Sequence, residues 1–234
     1  MEQSSWSRLI GVLTAPEKTF RSIAEKPTWA VVLIVLIALG VGVGVLMTGK
    51  IDWAEVTRDS IEARGQDVPE EQLERIIDFQ EKFGPVFVVG GPLVVGPLIY
   101  LLLAVVFLVV LKLMSGEIDF KRSFSVVLHS MMPQAVSAVL SIPVVLGKDE
   151  FSAEDLQDGS VLTSNLSALA PEEASPALIS MLSSLDLFSI WVLVLLVIGY
   201  STVARVSKGK VTVGVVTLWV LYVLGKVGLA SLSG

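Results

Sequence analysis

Five stretches of this 234-residue chain contain no Asp, Glu, Lys or Arg. They run 27–49, 83–111, 123–147, 187–204 and 211–225, with lengths of 23, 29, 25, 18 and 15 residues. Crossing a bilayer core of about 30 Å takes roughly 20 apolar helical residues. Runs of this length meet that need, and a soluble helix, which keeps one charged face, does not produce them. Overall composition agrees, with 53% hydrophobic and 17% charged residues, against about 25% charged in soluble domains. The expected fold class is therefore all-α, a polytopic membrane protein. Its five transmembrane helices are placed at about 29–48, 89–112, 123–146, 187–206 and 210–230, with outer connections 49–88 and 147–186. A transmembrane β-barrel would show short alternating segments instead. The first run exceeds the 7–15-residue core of a cleavable signal, and no small-residue cleavage site follows it, so it reads as a permanent span.

The charges between the runs are segregated. The N-terminal tail and the two short connections, at 112–122 and 205–210, hold ten basic and five acidic residues. The two long connections hold six basic and eighteen acidic residues, and Lys226 brings the chain to its net charge of −6. Lys and Arg accumulate on the cytoplasmic side, and short loops carry that signal. The N-terminus is thus expected in the cytoplasm and the C-terminus outside. The acidity belongs to the outer face, and without clustered Lys/Arg no nucleic-acid partner is expected. The chain has no cysteine and one histidine, which excludes thiol catalysis, disulfides and a zinc-type ligand set. No metal, cofactor or catalytic site is expected. His129 is the one histidine available to activate many serines, and neither an HExxH element nor an intramembrane aspartyl pair is spelled. The chain does not read as an enzyme.

Residues 1–27 read as a cytoplasmic amphipathic segment preceding a membrane domain at 28–234. Trp6, Leu9, Ile10 and Leu13 recur at helical spacing. Thr14-Ala-Pro-Glu17 then restarts a helix, with Thr14 as cap, Pro16 in the first turn and Glu17 closing a capping box. Phe20 and Ile23 continue an apolar face opposite Lys18, Arg21 and Lys26. Such a helix either lies in the cytoplasmic headgroup layer or packs on the ends of the bundle. In the first outer connection, Asp52 is placed to cap a helix running to Gly65, with Trp53 and Val56 facing the membrane, and Asp67-Val-Pro-Glu70 to cap a second. Its acidic residues interleave with Arg58, Arg64 and Arg75 and read as a solvated face rather than a cation site. Residues 147–174 read as a long loop, and Asn165-Leu-Ser167 is a sequon by spelling only. Ser175-Pro176 should cap a helix that runs unbroken into the fourth span.

Within the spans, Gly40 and Gly44 form a GxxxG pair for close helix approach, with Gly42 on another face. The Gly40–Gly44 run lacks the strand and third glycine of a dinucleotide fingerprint. Gly90-Gly91-Pro92 suggests that 83–91 is a lead-in and the second helix proper starts near Pro92, a broken transport helix being the sharper alternative. On the third span Ser130, Gln134, Ser137 and Ser141 recur at i, i+4, i+7 and i+11, beside His129 and Pro133. Polar groups are costly in hydrocarbon, so this stripe should face the bundle interior. Asp186 and Lys226 fall at similar depth near the outer edge, where an ion pair close to Ser141 fits. The cluster reads as interhelix hydrogen bonding, with Lys226 able to snorkel, or as a solute or proton path.

Read in order, the anchors resemble the Ypt-interacting-protein (Yip) domain family of five-span membrane proteins, in its bacterial form. They are Thr14-Ala-Pro16-Glu-Lys-Thr-Phe20, Pro27 and Trp29, then Gly116, Phe120, Phe124 and Pro133. Asp186-Leu-Phe188-Ser-Ile-Trp191, Gly199 and the basic Ser207-Lys-Gly-Lys210 turn complete the series. The resemblance covers nearly the whole chain and rests on the order of these short pieces. It implies a cytoplasmic N-terminus and an outward C-terminus, in agreement with the charge argument, and the bacterial cytoplasmic (inner) membrane. Eukaryotic members act in membrane traffic through Rab-type GTPases. This sequence lacks their long N-terminal region and their Asp-Leu-Tyr-Gly-Pro element, so small-GTPase binding is not carried over. The expected function is a non-enzymatic membrane-organising or partner-binding module. Its partners would be the lipid bilayer and other membrane proteins or a second copy. The alternative is a small transporter or channel built on His129, Gln134, Asp186 and Lys226.

Overall fold

A computed structural model describes residues 4–63, 65–157, 161–162, 164–171 and 174–232, and every regular element among them is helical. The helices are α1 Ser5–Thr14, α2 Pro16–Glu25, α3 Ala30–Thr48, α4 Trp53–Ala63, α5 Glu70–Gly90, α6 Gly96–Leu113 and α7 Phe120–Ser130. They continue with α8 Met132–Gly147, α9 Ala153–Gln157, α10 Pro176–Ser183, α11 Leu187–Val203 and α12 Lys208–Leu232. A π turn, Gly91–Val95, joins α5 to α6, and a 3₁₀ turn lies at Leu166–Leu169.

Four helical stretches are long and apolar enough to cross a membrane: Ala30–Thr48, Glu70–Leu113, Phe120–Gly147 and Lys208–Ser231. Leu187–Val203 is apolar but has 17 residues, about 26 Å of helix. The expected fourth span at 187–206 is therefore shorter than drawn. Asp186 ends it on one side through a bridge to Asn165, and Arg205 leaves helical backbone at φ 56° on the other.

Local chemistry accounts for most helix ends. Ser4 accepts from Ser7 N–H, Asp119 from Arg122 N–H, Ser175 from Leu178 N–H, and Asp52 from the N–H groups of Ala54 and Glu55. Two expected caps are absent. Ala15 takes the N-cap position of α2, because the Thr14 hydroxyl bonds back to Ile10 C=O, and Glu17 bonds Lys208 instead of closing a capping box. Pro69, not Asp67, stands at the N-cap of α5.

Residues 83–91 are helical. The chain is continuous from Glu70 to Leu113, and the Gly90-Gly91-Pro92 sequence is absorbed as the π turn rather than as a break. Proline inside a helix removes a hydrogen bond, and a wider turn accommodates it. The third span is interrupted instead. α7 ends at Ser130 and α8 begins at Met132, because Pro133 cannot donate to residue 129 and its ring crowds that carbonyl. The expected unbroken helix from Ser175 into the fourth span is also interrupted, at residues 184–186. The expected loop at 147–174 holds α9 and the 3₁₀ turn, and its residues 158–160, 163 and 172–173, like Arg64 in the first connection, lie outside the described residues.

The chain divides into two compact units. The first comprises Met1–Ala38, Val94–Val136 and Leu187–Tyr222. Here α6 packs on α7, α11 on α7 and α2, and α1 on α2 and α7. Tyr200 is fully buried, its ring 4.8 Å from Phe107 and its hydroxyl 2.9 Å from Ser123 Oγ, which donates to Ala104 C=O at 2.7 Å. Phe20 of α2 is also fully buried, seated over Gly199, where a Cβ would lie 2.9 Å from its ring. Burial of such a side chain stabilises by about 1.5–3 kcal/mol.

The second unit comprises Leu39–Leu93, Ser137–Asp186 and Val223–Gly234. Its core centres on Ile51, Val145 and Phe151, with Trp53 and Val56 packed against it. The Trp53 indole also covers Gly84. Trp53 and Val56 therefore pack on protein rather than facing the membrane as expected, because the turn at Lys50–Ile51 pairs with Phe151. Gly40 and Gly44 face Pro92 and Val88, and a Cβ on Gly44 would stand 2.8 Å from the Val88 carbonyl oxygen. The GxxxG pair is thus used within this unit, against the end of α5 and its π turn.

Candidate functional site

Arg8 is 1% exposed on α1 and donates to Lys26 C=O at 2.7 Å, Thr28 Oγ1 at 2.8 Å, Ser22 C=O at 3.2 Å and Ser22 Oγ at 2.7 Å. A guanidinium presents five donors in a rigid fork. Here it binds the carbonyls at the C-terminus of α2, the negative end of that helix, and the lead-in to α3. Charge counting treats Arg8 only as an inside charge. Its helical spacing puts it on one face with Val12, four residues on, which is fully buried. Opposite them, Trp6 and Ile10 are 67% and 69% exposed. The expected stripe of Trp6, Leu9, Ile10 and Leu13 is therefore divided, with Leu9 packed inward beside Arg8 and Val12.

The polar residues singled out on the third span have separate surroundings. His129 is fully buried on α7, its Nδ1 2.8 Å from Ser125 C=O, while Nε2 has no hydrogen-bond partner among the described residues. Ser130 is fully buried, and its hydroxyl likewise has none there. Gln134 is exposed and Ser137 half-buried. Ser141, 5% exposed, donates to Ala138 C=O of its own helix. Of the four stripe residues, Ser130 and Ser141 are buried, Ser137 is half-buried and Gln134 is exposed. His129, Ser130 and Gln134 belong to the first unit, and Ser137, Ser141, Asp186 and Lys226 to the second.

The expected Asp186–Lys226 ion pair is replaced by bonds to serines. Lys226 Nζ donates to Ser183 Oγ at 2.8 Å, and the Ser164 hydroxyl donates to Asp186. The interruption at 184–186 moves Asp186 off the α10 helix and into a bridge with Asn165. Ser183 itself donates to Ser180 C=O, so Lys226 ends a chain of structural hydrogen bonds. Asn165 is 8% exposed and accepts from Ser167 N–H.

Several family-motif residues meet in the first unit. Phe20 and Val126 flank Gly199, Phe124 lies 5.7 Å from Trp29 and 5.8 Å from Phe120, and Phe188 and Pro133 are buried. Pro16 opens α2, Trp191 is half-buried, and Asp186 stands in the second unit. Gly116 ends α6 in a Schellman arrangement. Its N–H reaches Leu111 C=O at 2.8 Å, Ser115 N–H reaches Lys112 C=O at 3.0 Å, and Ser115 adopts φ 63°. Beside this turn lies a cavity of about 460 Å³, lined by Ala24, Glu117, Asp119, Arg122, Val203 and Arg205 among others. Arg122 donates to Asp119 and, at 2.9 Å, to Ala24 C=O, and Arg205 lies 3.5 Å from Glu117. At the start of α12, Lys208 donates to Glu17 at 2.6 Å and holds its carboxyl below the usual carboxylate range. In the second unit Lys148 does the same for Asp155.

Long apolar helices and polar groups bound to their own backbone define an integral membrane protein. The Yip1 domain profile matches residues 10–229, so the chain belongs to the Yip1 domain family. It is 30% identical over 205 residues to the membrane protein YknW of Bacillus subtilis, covering 86% of this chain and 80% of that one. No solved structure matches.

Proposed function

We propose that this protein is a non-enzymatic membrane-organising and partner-binding module of the bacterial cytoplasmic membrane, with five spans, a cytoplasmic N-terminus and an outward C-terminus. The observation that carries the reading is the division of α1. Arg8, Leu9 and Val12 bind one face to the protein, and Trp6 and Ile10 are left open on the other. Lys26 is four residues from the first helix long enough to cross the membrane, so α1 and α2 lie at the depth of the headgroups. An aromatic and a branched aliphatic side chain there enter the acyl boundary, and the exposed Lys18, Arg21 and Lys26 favour anionic lipid. Other membrane proteins or a second copy would use the apolar faces of the spans.

The chain has no native cysteine, so Trp6→Cys and Ile10→Cys report their own depth. An environment-sensitive fluorophore on either should be quenched by brominated lipids in proteoliposomes. Quenching only by soluble iodide would discard the interfacial role. A second reading, a small transporter or channel, is favoured by the unmatched buried atoms His129 Nε2 and Ser130 Oγ. It predicts an ion- or proton-dependent flux into proteoliposomes that His129→Leu and Gln134→Leu abolish. Equal flux with and without protein would remove it.

A further inference from the structure

The geometry points to the cavity bounded by the ends of α2 and α11 and the α6–α7 turn as a binding site for a zwitterionic phospholipid headgroup of the phosphoethanolamine type. Two guanidinium groups, Arg122 and Arg205, and two carboxylates, Glu117 and Asp119, line a space of about 460 Å³. An anionic headgroup would meet the two carboxylates as well as the cations. A headgroup carrying both a phosphate and an ammonium finds a partner for each, guanidinium for phosphate and carboxylate for ammonium.

The two pairs differ in readiness. Asp119 is committed to the first turn of α7 and to Arg122. Glu117 and Arg205 are 77% and 81% exposed and 3.5 Å apart, a contact water weakens and a ligand can replace. Arg205 stands at φ 56°, a conformation that costs a non-glycine residue energy. Arg205 lines the cavity, and Glu117 N–H is bonded to Ala204 C=O at 3.1 Å, which ties the α6–α7 turn to the end of α11. The source of the headgroup is the bilayer. α6 and α11 end within a few residues of the cavity, and Leu113 and Phe120, on either side of the Glu117–Asp119 stretch, are 81% and 41% exposed apolar side chains for the acyl chains to cover. The site is independent of the α1 reading, since none of the residues named here is on α1.

The full chain in detergent micelles can be offered phosphatidylethanolamine and phosphatidylglycerol of identical acyl chains, and retained lipid counted by native mass spectrometry. Phosphatidylethanolamine should be kept in preference. Glu117→Gln and Arg205→Gln should each lower its retention about fivefold, as loss of one charge partner implies. The exchange variant Glu117→Arg with Arg205→Glu should restore it, which a folding defect would not. Competition by soluble O-phosphoethanolamine at millimolar concentration supports the same headgroup chemistry. Equal retention of both lipids, no effect of either variant, or binding of the soluble compound without lipid retention would overturn the proposal.

Discussion

Arg8 shows how one side chain can hold two helices where its letter suggested only topology. It donates four bonds to the C-terminus of α2 and the lead-in to α3, so Arg8→Ala removes the donors and leaves part-buried acceptors behind. The expected loss is about 2–4 kcal/mol in unfolding from detergent micelles, with Arg8→Lys recovering part of it. Unchanged stability would contradict the clasp. Glu17 gives a pH signature of opposite physical character, since it is exposed and acts across the surface. The Lys208 hydrogen bond depresses its folded pKa below the ordinary carboxylate value, so the stability it contributes is present above the unfolded value and is lost as pH falls through the folded value. Lys208→Gln should move the Glu17 carboxyl upward in an NMR titration, and a titration identical to wild type would show that the contact does not persist in solution. Neither partnership was legible in the sequence, because a charge count says which side of a membrane a residue occupies and not whose carbonyls it reaches.

Among the elements, hydropathy located the helices well, and the errors lie where proline chemistry or competing hydrogen bonds decide. Charge-free length located the long apolar helices, and short capping motifs identified Asp52 and Ser175 as helix caps. Periodicity carries the third span as one helix because it cannot register a missing N–H. Pro133 interrupts it at Met131, and of the four stripe residues Gln134 is the exposed one. The reverse happened at Gly90-Gly91-Pro92, where a suspected start is a π turn inside a continuous helix. The glycines of α3 were read more successfully, and they allow an internal control. Gly44→Ala places a Cβ 2.8 Å from the Val88 carbonyl oxygen, a backbone atom with little room to move, and should destabilise by about 1–3 kcal/mol. Gly42→Ala meets nothing within 4 Å and should raise stability slightly through helix propensity. Equal effects of the two in thermal unfolding would show that α3 is not seated on α5.

For the whole molecule, family and all-helical class were legible from the order of short anchors along the chain. Residue partners were not, because polar groups in hydrocarbon satisfy one another by geometry that no spacing records. The number of crossings is open to a direct measurement. Lys18→Cys and Ser231→Cys, each the sole thiol of its variant, should react with an impermeant maleimide from opposite sides of sealed vesicles if the chain crosses five times. Labelling from the same side would require an even number. The seat of Phe20 over Gly199 also bears on how the chain is made. Arg8 and its acceptors lie within the first 28 residues, so the α1–α2 pair can close as soon as it leaves the ribosome. Its receptor surface on α11 is translated about 180 residues later, on the order of ten to thirty seconds at ordinary rates of synthesis. Until then the side of Phe20 that covers Gly199 lacks this partner, while α7, which α2 also contacts, has already been translated. Closure of Phe20 over Gly199 is thus a contact that the first-made segment completes late.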